Sequence, residues 1–378
     1  MRIPLVDLKA QYDTISGEVD AAIQQVLDQG QFILGPEVQA FEEEIADYCG
    51  TKFALGVASG TDALRLALLA CGVGPADEVI TTPFTFVATV ETIIQCGATP
   101  IFVDINPETY NIDPAQIKER ITSRTKAILP VHLYGQAVDM DPILELARKY
   151  DFKVIEDCAQ ALGAEYKGKK VGSIGNAGCL SFFPTKTLGA CGDGGMVVTN
   201  EPKIAETVNL LRKHGANTSY YYLLPGFNSR LDALQAAILR IKLKHLDRWI
   251  ESRRRKAALY EQLLREIDGI KPPSVEEFGK PSFTYYTICL KDSGLNRNKL
   301  REHLESRGIQ TMVYYPLSLH LQEAYGDLGY KQGDFPQSEL AQSQVLSLPM
   351  YPELGEERIR EVVASIKNFI RNSKSLGC

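Results

Sequence analysis

Two segments of this chain carry residues that together favour one kind of chemistry. The first, Lys153–Gly163 (KVIEDCAQALG), begins with an apolar run that ends in an acid, Asp157. The second, Ser181–Gly189 (SFFPTKTLG), presents Lys186 among phenylalanine, proline and threonine, with little charge nearby. A lysine in such a loop can hold pyridoxal phosphate (PLP) as a Schiff base, and a carboxylate at a strand end can keep the pyridine nitrogen protonated. The pair therefore indicates a PLP enzyme.

Each of the two residues also has an ordinary explanation. A lone lysine is usually a surface residue, and Asp157 alone is compatible with a helix N-cap. The surroundings of Lys186 favour the functional interpretation. Phe182 and Phe183 predict an apolar wall beside the lysine, which would lower the pKa of its amino group. The glycine-rich segment that follows, GACGDGG, lets the backbone approach a ligand closely.

Two further motifs are compatible with a cofactor. Ser59, Gly60 and Thr61 stand between the apolar run Phe53–Ala58 and a helical pattern, DALRLALLACG. The N–H groups of a first helical turn can hold a phosphate, although simple N-capping by Ser59 or Thr61 explains the motif equally well. Phe86, in PFTFVAT, is either a core aromatic residue or a ring that lies flat on a cofactor.

The elements that must position these residues alternate along the chain. Short apolar runs separated by helical patterns predict an α/β fold with a mostly parallel central sheet, whose ligands collect at the carboxyl ends of the strands. A long amphipathic pattern, Leu231 to about Ile267, leads into a remainder with fewer apolar runs. We therefore predict a large cofactor-binding domain, residues 1–250, and a smaller C-terminal α/β domain, residues 251–378.

Composition limits the partners and the compartment. The chain has 378 residues, 44% hydrophobic and 23% charged, with a net charge of −6, which argues against nucleic-acid binding. The run Arg253–Lys256 is expected to form a solvated helix face. The eight cysteines are scattered without metal-ligand spacing, so no metal site is predicted. Neither a signal peptide nor a membrane span is evident, and together with free thiols this favours the cytoplasm.

Several motifs in one order resemble a known family. They include GPEVQAFEEEIADYCG, ASGTDAL, PIFVDINPETYNID, IEDCAQALGA, SFFPTKTLG, GDGGMVVTN and NSRLDALQAAIL. The chain resembles the DegT/DnrJ/EryC1/StrS sugar aminotransferases, which are PLP-dependent transferases of fold type I, the aspartate-aminotransferase fold. The resemblance covers nearly the whole chain.

The resemblance implies a role for particular residues of this sequence. Lys186 would bind the cofactor and then act as the acid and base of the proton shift, and Asp157 would pair with the pyridine nitrogen. Further cofactor contacts are implied for Ser59, Gly60, Thr61, Phe86, Gln160, Ser181 and, from the neighbouring subunit of a homodimer, Asn228. Arg230 and Tyr314 are expected to bind substrate; several relatives carry His-Tyr where this chain has Tyr314-Tyr315.

The reaction implied by the resemblance has two halves. L-glutamate would convert PLP to pyridoxamine phosphate, and a nucleotide-linked keto sugar would then accept the amine. GACGDGG and NSRLD are most similar to members that act on 3-keto sugars, and a 4-keto sugar is the alternative. Two other classes stay open: a regulatory or binding protein on the same fold, and a PLP lyase or desulfurase that would use Cys191.

Overall fold

The computed structural model describes residues 2–291 and 295–375. Its strands are β1 (Phe53–Val57), β2 (Glu78–Thr81), β3 (Thr99–Phe102), β4 (Thr125–Ile128), β5 (Lys153–Asp157), β6 (Glu165–Tyr166), β7 (Lys169–Lys170), β8 (Ala177–Ser181), β9 (Gly195–Thr199), β10 (Ala216–Thr218), β11 (Tyr221–Tyr222), β12 (Ile270–Lys271), β13 (Gly279–Lys280), β14 (Tyr286–Leu290) and β15 (Val345–Leu348). Its α-helices are α1 (Leu8–Asp13), α2 (Ser16–Gln29), α3 (Pro36–Cys49), α4 (Gly60–Ala70), α5 (Val87–Gln95), α6 (Pro114–Ile117), α7 (Met140–Tyr150), α8 (Pro202–Leu211), α9 (Ala233–Leu243), α10 (Leu246–Leu264), α11 (Arg297–Ser306), α12 (Pro336–Gln344) and α13 (Glu356–Ser375). Short 3₁₀ helices lie at Lys118–Arg120, Leu133–Gly135, Leu319–Leu321 and Glu323–Leu328.

Seven strands form the central sheet, in the order β1-β9-β8-β5-β4-β2-β3. Strand β9 is antiparallel to β1 and β8, and all other neighbours in the sheet are parallel. All residues of β2 and β9 are buried, which is typical of strands that are covered on both faces. The predicted α/β fold with a mostly parallel central sheet is confirmed.

Alternate residues of the strands supply two separate apolar layers. Ile80 and Val154 belong to a core on one face, together with residues of α3, α7 and α9. Val79 and Ile155 belong to the core on the other face, with residues of α4, α5 and α8. Because strand side chains alternate with a period of two, the sheet lies between two helical layers.

The C-terminal part of the chain is built on an antiparallel sheet, β12-β14-β15, and its apolar core also includes earlier residues such as Ile3, Phe84 and Tyr134. In that core Tyr260 of α10 stacks on Tyr286 of β14, with 4.7 Å between the ring centroids. Because α10 runs across residue 250, the division into residues 1–250 and 251–378 stays a prediction. None of the described helices is both long enough and apolar enough to cross a bilayer.

The stretch after Leu231 differs from its sequence pattern in two ways. The amphipathic pattern Leu231–Ile267 is divided into α9 and α10, with a turn at Lys244 and His245. The prediction of a solvated face for Arg253–Lys256 is wrong for Arg253, which is 2% exposed. Its Nη1 donates to the carbonyl of Met350 (2.8 Å), so backbone oxygen replaces water around this guanidinium.

One buried carboxylate attaches the C-terminal part to the central sheet. Asp104 lies shortly after β3 and is 5% exposed. Its Oδ1 accepts from the N–H (2.9 Å) and the hydroxyl (2.6 Å) of Ser338, and its Oδ2 accepts from the N–H of Gln337 (2.8 Å). Both residues lie in the first turn of α12, where N–H groups lack helical partners and negative charge is favourable. Asp104 therefore caps a helix that is distant in sequence.

We predict that Asp104→Ala lowers the free energy of unfolding by about 2–4 kcal/mol, because buried donors of α12 lose their acceptor. Urea unfolding followed by circular dichroism measures this loss. Asp113→Ala is the matched control, since Asp113 caps α6 through the N–H of Ala115 (3.1 Å) near the surface, and about 1 kcal/mol is expected for it. Equal losses for the two variants would contradict the assigned role of Asp104.

Candidate active site

A cavity of about 470 Å³ lies at the carboxyl ends of β1, β5 and β8. These three strands run in the same direction, so their ends meet at one edge of the sheet, where such folds bind ligands. Nine of the eleven predicted site residues line this cavity: Ser59, Gly60, Thr61, Phe86, Asp157, Gln160, Ser181, Lys186 and Tyr314.

Asp157 is the last residue of β5 and is 4% exposed. Its Oδ2 accepts from the hydroxyl of Thr89 (2.9 Å), and its Oδ1 accepts from the N–H of Ala159 (3.1 Å). Burial raises the pKa of Asp157, and these two donors, Lys186 and His132 act in the opposite direction. The structure therefore holds an acid in the cavity with two hydrogen bonds that favour its ionised form.

A buried group of possible metal ligands lies beside Asp157. Atoms of His132, Glu156 and Cys158 are within 4.8 Å of one another. The N–H of Val138 donates to His132 Nδ1 (3.0 Å), so His132 Nε2 carries the proton that bonds Glu156 (3.0 Å). Glu156 also accepts from backbone N–H groups of Gly172, Ile174 and Gly175. Burial raises the pKa of Cys158 far above its usual range, so we assign this group to structural support of β5.

Lys186 lies in the loop that follows β8. Its backbone N–H donates to the carbonyl of Phe183 (2.9 Å), which fixes a tight turn at this point. Burial lowers the pKa of Lys186 to about 8, with Asp157 acting in the opposite direction. An amine with this pKa is partly neutral near pH 7, and a neutral amine is the form that attacks an aldehyde.

The turn between β1 and α4 forms one end of the cavity. Ser59 is the N-cap of α4, and its Oγ accepts from the N–H of Asp62 (3.1 Å). Ser59, Gly60 and Thr61 line the cavity at this helix start, the kind of position where helix ends bind anions. A Cβ on Gly60 would lie 2.6 Å from the Cβ of Ser181, and one on Gly195 would lie 2.2 Å from the carbonyl of Ser59. Glycine at both positions lets the turn pack directly against β8 and β9.

Gln160 connects the cavity wall to the C-terminal part of the chain. Its Oε1 accepts from the N–H of Tyr134 (2.8 Å), and its Nε2 donates to the hydroxyl of Tyr315 (2.8 Å). Both ends of the amide are therefore engaged, which fixes its orientation. Phe86 has 54% of its surface exposed at the cavity, with its ring centroid 6.4 Å from that of Tyr315.

Several cavity residues were missed by the sequence analysis. Thr89 and Tyr315 bond predicted site residues, while Tyr285 and Asp193 line the cavity. For Thr89 a weak signal exists, because its position in the first turn of α5 follows from the helical pattern after Phe86. Nothing in the local sequence distinguishes Tyr285, which reaches the cavity from just before β14.

Two predicted site residues do not line this cavity. Asn228 is exposed and forms an isolated bridge with Lys213, while Arg230 is partly buried. Their roles were predicted across a subunit interface and stay predictions. The apolar wall beside Lys186 is also corrected in part: Phe183 lines the cavity, but Phe182 faces the core and packs on Phe41 at 5.3 Å between centroids. The alternation of side chains along β8 continues through these two residues just after the strand, which explains the difference.

The residues around the cavity fit PLP. The cofactor requires a reactive lysine, an acid for its ring nitrogen and a cradle for its phosphate. The structure brings together an amine of lowered pKa at Lys186, a buried carboxylate at Asp157, and the start of α4 beside Ser181, where even one Cβ on Gly60 would not fit.

This fold and this cavity define a PLP-dependent enzyme of the aminotransferase fold. The model of the DegT/DnrJ/EryC1/StrS aminotransferase family matches residues 13–367, and the chain belongs to this family. The resemblance inferred from the motifs is therefore confirmed, and the chain is a PLP-dependent aminotransferase.

Similar proteins match over almost the whole chain. A pleiotropic regulatory protein of Geobacillus stearothermophilus is 49% identical over 374 residues, covering 98% of this chain and 100% of that protein. The UDP-2-acetamido-2-deoxy-3-oxo-D-glucuronate aminotransferase of Pseudomonas aeruginosa is 44% identical over 366 residues, covering 97% and 100%. Among solved structures, Streptomyces venezuelae DesV in complex with a ketimine intermediate matches with a TM-score of 0.94 and 42% identity, over 97% of this chain and 98% of that one.

We predict that Gly60→Ala weakens PLP binding about 10- to 100-fold. The new methyl group would force β8 and the start of α4 apart, and overpacking of this kind costs about 1–3 kcal/mol. Titration of apoenzyme with PLP, followed by absorbance, gives the dissociation constant. Gly17→Ala in α2 is the control, because nothing lies within 4 Å of its Cβ position. Unchanged PLP affinity in Gly60→Ala would show that this contact does not shape the cofactor site.

Proposed function

We propose that this enzyme moves an amino group from L-glutamate to a nucleotide-linked keto sugar, at a 3-keto carbon. The observation that carries the proposal is Lys186 beside Asp157 in one enclosed cavity, in a chain of the sugar-aminotransferase family. The choice of a 3-keto sugar is supported by the 3-oxo substrate in the name of the Pseudomonas relative. A 4-keto nucleotide sugar is the alternative acceptor.

Each cavity residue has a proposed task. Bound PLP supplies an electron sink that permits a proton shift at the amine-bearing carbon. Lys186 Nζ would hold the cofactor covalently and would carry the shifted proton, and the carboxylate of Asp157 would keep a proton at the ring nitrogen. Contacts to the rest of the cofactor are assigned to Ser59, Gly60, Thr61 and Ser181 for the phosphate, Gln160 for the hydroxyl side and Phe86 for one ring face.

The active unit that we propose is a homodimer with shared sites. The partner subunit's Asn228 would reach the cofactor phosphate, and the partner subunit's Arg230 would face the substrate beside Tyr314. An exposed hairpin, β10–β11, supports an interface near these residues, because Tyr220, Tyr221, Tyr222 and Leu223 are 61–87% exposed.

Two other classes of function have less support. One is a purely regulatory role, which the name of the Geobacillus relative suggests. Such a role would not explain why Lys186 and Asp157 line one cavity. A lyase or desulfurase would need a reactive cysteine at the cavity. Cys191 is exposed and does not line the cavity, and its N–H donates to Gln235 (2.8 Å). We place the enzyme in the cytoplasm, where a reducing environment keeps its free cysteines reduced.

We predict that the PLP-loaded protein shows a visible absorption band that L-glutamate removes and that a nucleotide-linked 3-keto sugar restores. Lys186→Ala should lack the covalent band and lose at least about a thousandfold in turnover, because the nucleophile and the proton carrier are the same group. Lys118→Ala, at an exposed lysine outside the cavity, is the matched control. A band unmoved by glutamate would contradict the proposed donor, and restoration only by a 4-keto sugar would favour the alternative acceptor.

We predict that mixing two inactive variants, Lys186→Ala and Arg230→Ala, restores activity. If subunits exchange at random, half of the dimers are mixed and each has one intact site, so about a quarter of wild-type activity returns. The mixture is unfolded mildly, refolded together and assayed beside each variant treated alone. Activity no higher than that of the separate variants would contradict a site shared between subunits.

A further inference from the structure

The amino group of Lys186 has few polar neighbours. Within residues 2–291 and 295–375, no group hydrogen-bonds Lys186 Nζ, and Asp157 is the one acid that raises its pKa. Two acids line the cavity, Asp157 and Asp193, and neither forms an ion pair with Lys186 at 4.0 Å or less in this part of the chain. A buried ammonium without such partners loses its hydration with little compensation.

An aromatic ring also lies within reach of this amino group. Lys186 Nζ lies over the ring of Tyr285, 5.8 Å from the centroid. The electron-rich face of an aromatic ring attracts a cation at this range, and the attraction strengthens when water is excluded. Tyr285 also lines the cavity, so its ring and the amino group of Lys186 share the same enclosed space.

The Tyr285 ring is held in place from several sides. It is 7% exposed and packs on Tyr314 at 4.3 Å between centroids, with the Tyr134 ring edge-on at 6.4 Å. Two hydrogen bonds fix the backbone that precedes the ring. The N–H of Ser282 donates to the Gly135 carbonyl (2.9 Å), and the hydroxyl of Thr284 donates to the Gln160 carbonyl (2.5 Å). The ring is therefore a fixed surface that the C-terminal part presents to the lysine.

An aromatic face binds an ammonium differently from a carboxylate. A carboxylate in contact would form an ion pair and raise the pKa of the lysine strongly. A ring contributes only about 0.5–2 kcal/mol and does not accept the proton. An ammonium held by the ring therefore stays in the cavity and still gives up its proton readily.

We propose that Tyr285 is a positioning residue for Lys186, and that the face of its ring holds the free Lys186 ammonium in the cavity whenever this lysine is not bound to the cofactor. The charge of Asp157, which also acts on this amino group, favours the ammonium form in the same cavity. Arg253, whose charge acts on the Tyr285 phenol, lies on α10 and belongs to the support of the ring.

The test measures Lys186 in the apoenzyme and needs no turnover. Competitive acetylation over a range of pH, with peptide mass spectrometry, reports the neutral fraction of each lysine. Tyr285→Leu removes the aromatic face, so the pKa of Lys186 should fall and its labelling at pH 6 should rise about fivefold, which corresponds to about 1 kcal/mol of lost attraction. Tyr285→Phe keeps the face and should label as wild type.

Three controls make the result decisive. The exposed Lys118 is the internal standard in every digest. Tyr286→Phe changes the adjacent tyrosine, whose buried hydroxyl has no partner in the described structure, and should leave Lys186 unchanged. Tyr285→Met replaces the leucine variant if that variant does not fold. An unchanged Lys186 profile in a folded variant without the ring overturns the proposal, as does an equal shift in Tyr285→Phe, which would assign the effect to the hydroxyl.

Discussion

The carboxylate of Asp157, buried at the end of β5, is the constraint on which the rest of the site depends. A carboxylate removed from water is costly unless hydrogen bonds and charge compensate it. Here the compensation comes from Thr89 on α5, the N–H of Ala159 and the charge of Lys186 after β8. These groups belong to separate elements. The contacts that compensate the Asp157 carboxylate therefore fix the start of α5 and two loops at the carboxyl edge of the sheet.

The C-terminal part of the chain completes the cavity through close backbone contact. Gly135 has a φ of +94°, and a Cβ there would lie 2.5 Å from the hydroxyl oxygen of Ser282. Only glycine accepts this conformation and this approach without strain. The segment that carries Tyr285 is thereby seated against the loop after β4, while Gln160 bonds Tyr315 from the same side. The charged groups of the cavity lie on the central sheet and its loops, and the tyrosines of its wall come from the C-terminal part.

How much of this could be predicted from the sequence depends on the range of each interaction. The parallel sheet, Lys186, Asp157 and the Ser59–Thr61 turn were predicted because apolar runs, turns and motifs are local signals. Tyr285 and the burial of Arg253 were not predictable, because both depend on contacts between segments distant along the chain. Phe182 and Phe183 are an intermediate case. The sequence shows two adjacent aromatic residues, but which side chain points into the cavity depends on how the alternation of β8 continues beyond the strand.

The charge balance of the cavity argues for a second subunit. Among the residues that the structure describes, its lining has one cation, Lys186, whose pKa is lowered to about 8, and two acids, Asp157 and Asp193. The proposed donor and the nucleotide-linked acceptor are both anions, and so is the cofactor phosphate. Helix N–H groups at α4 compensate the phosphate, but carboxylates and a diphosphate require cations as well. Among the described residues this lining holds no further cation. This observation supports the proposal that the partner subunit's Arg230 contributes one.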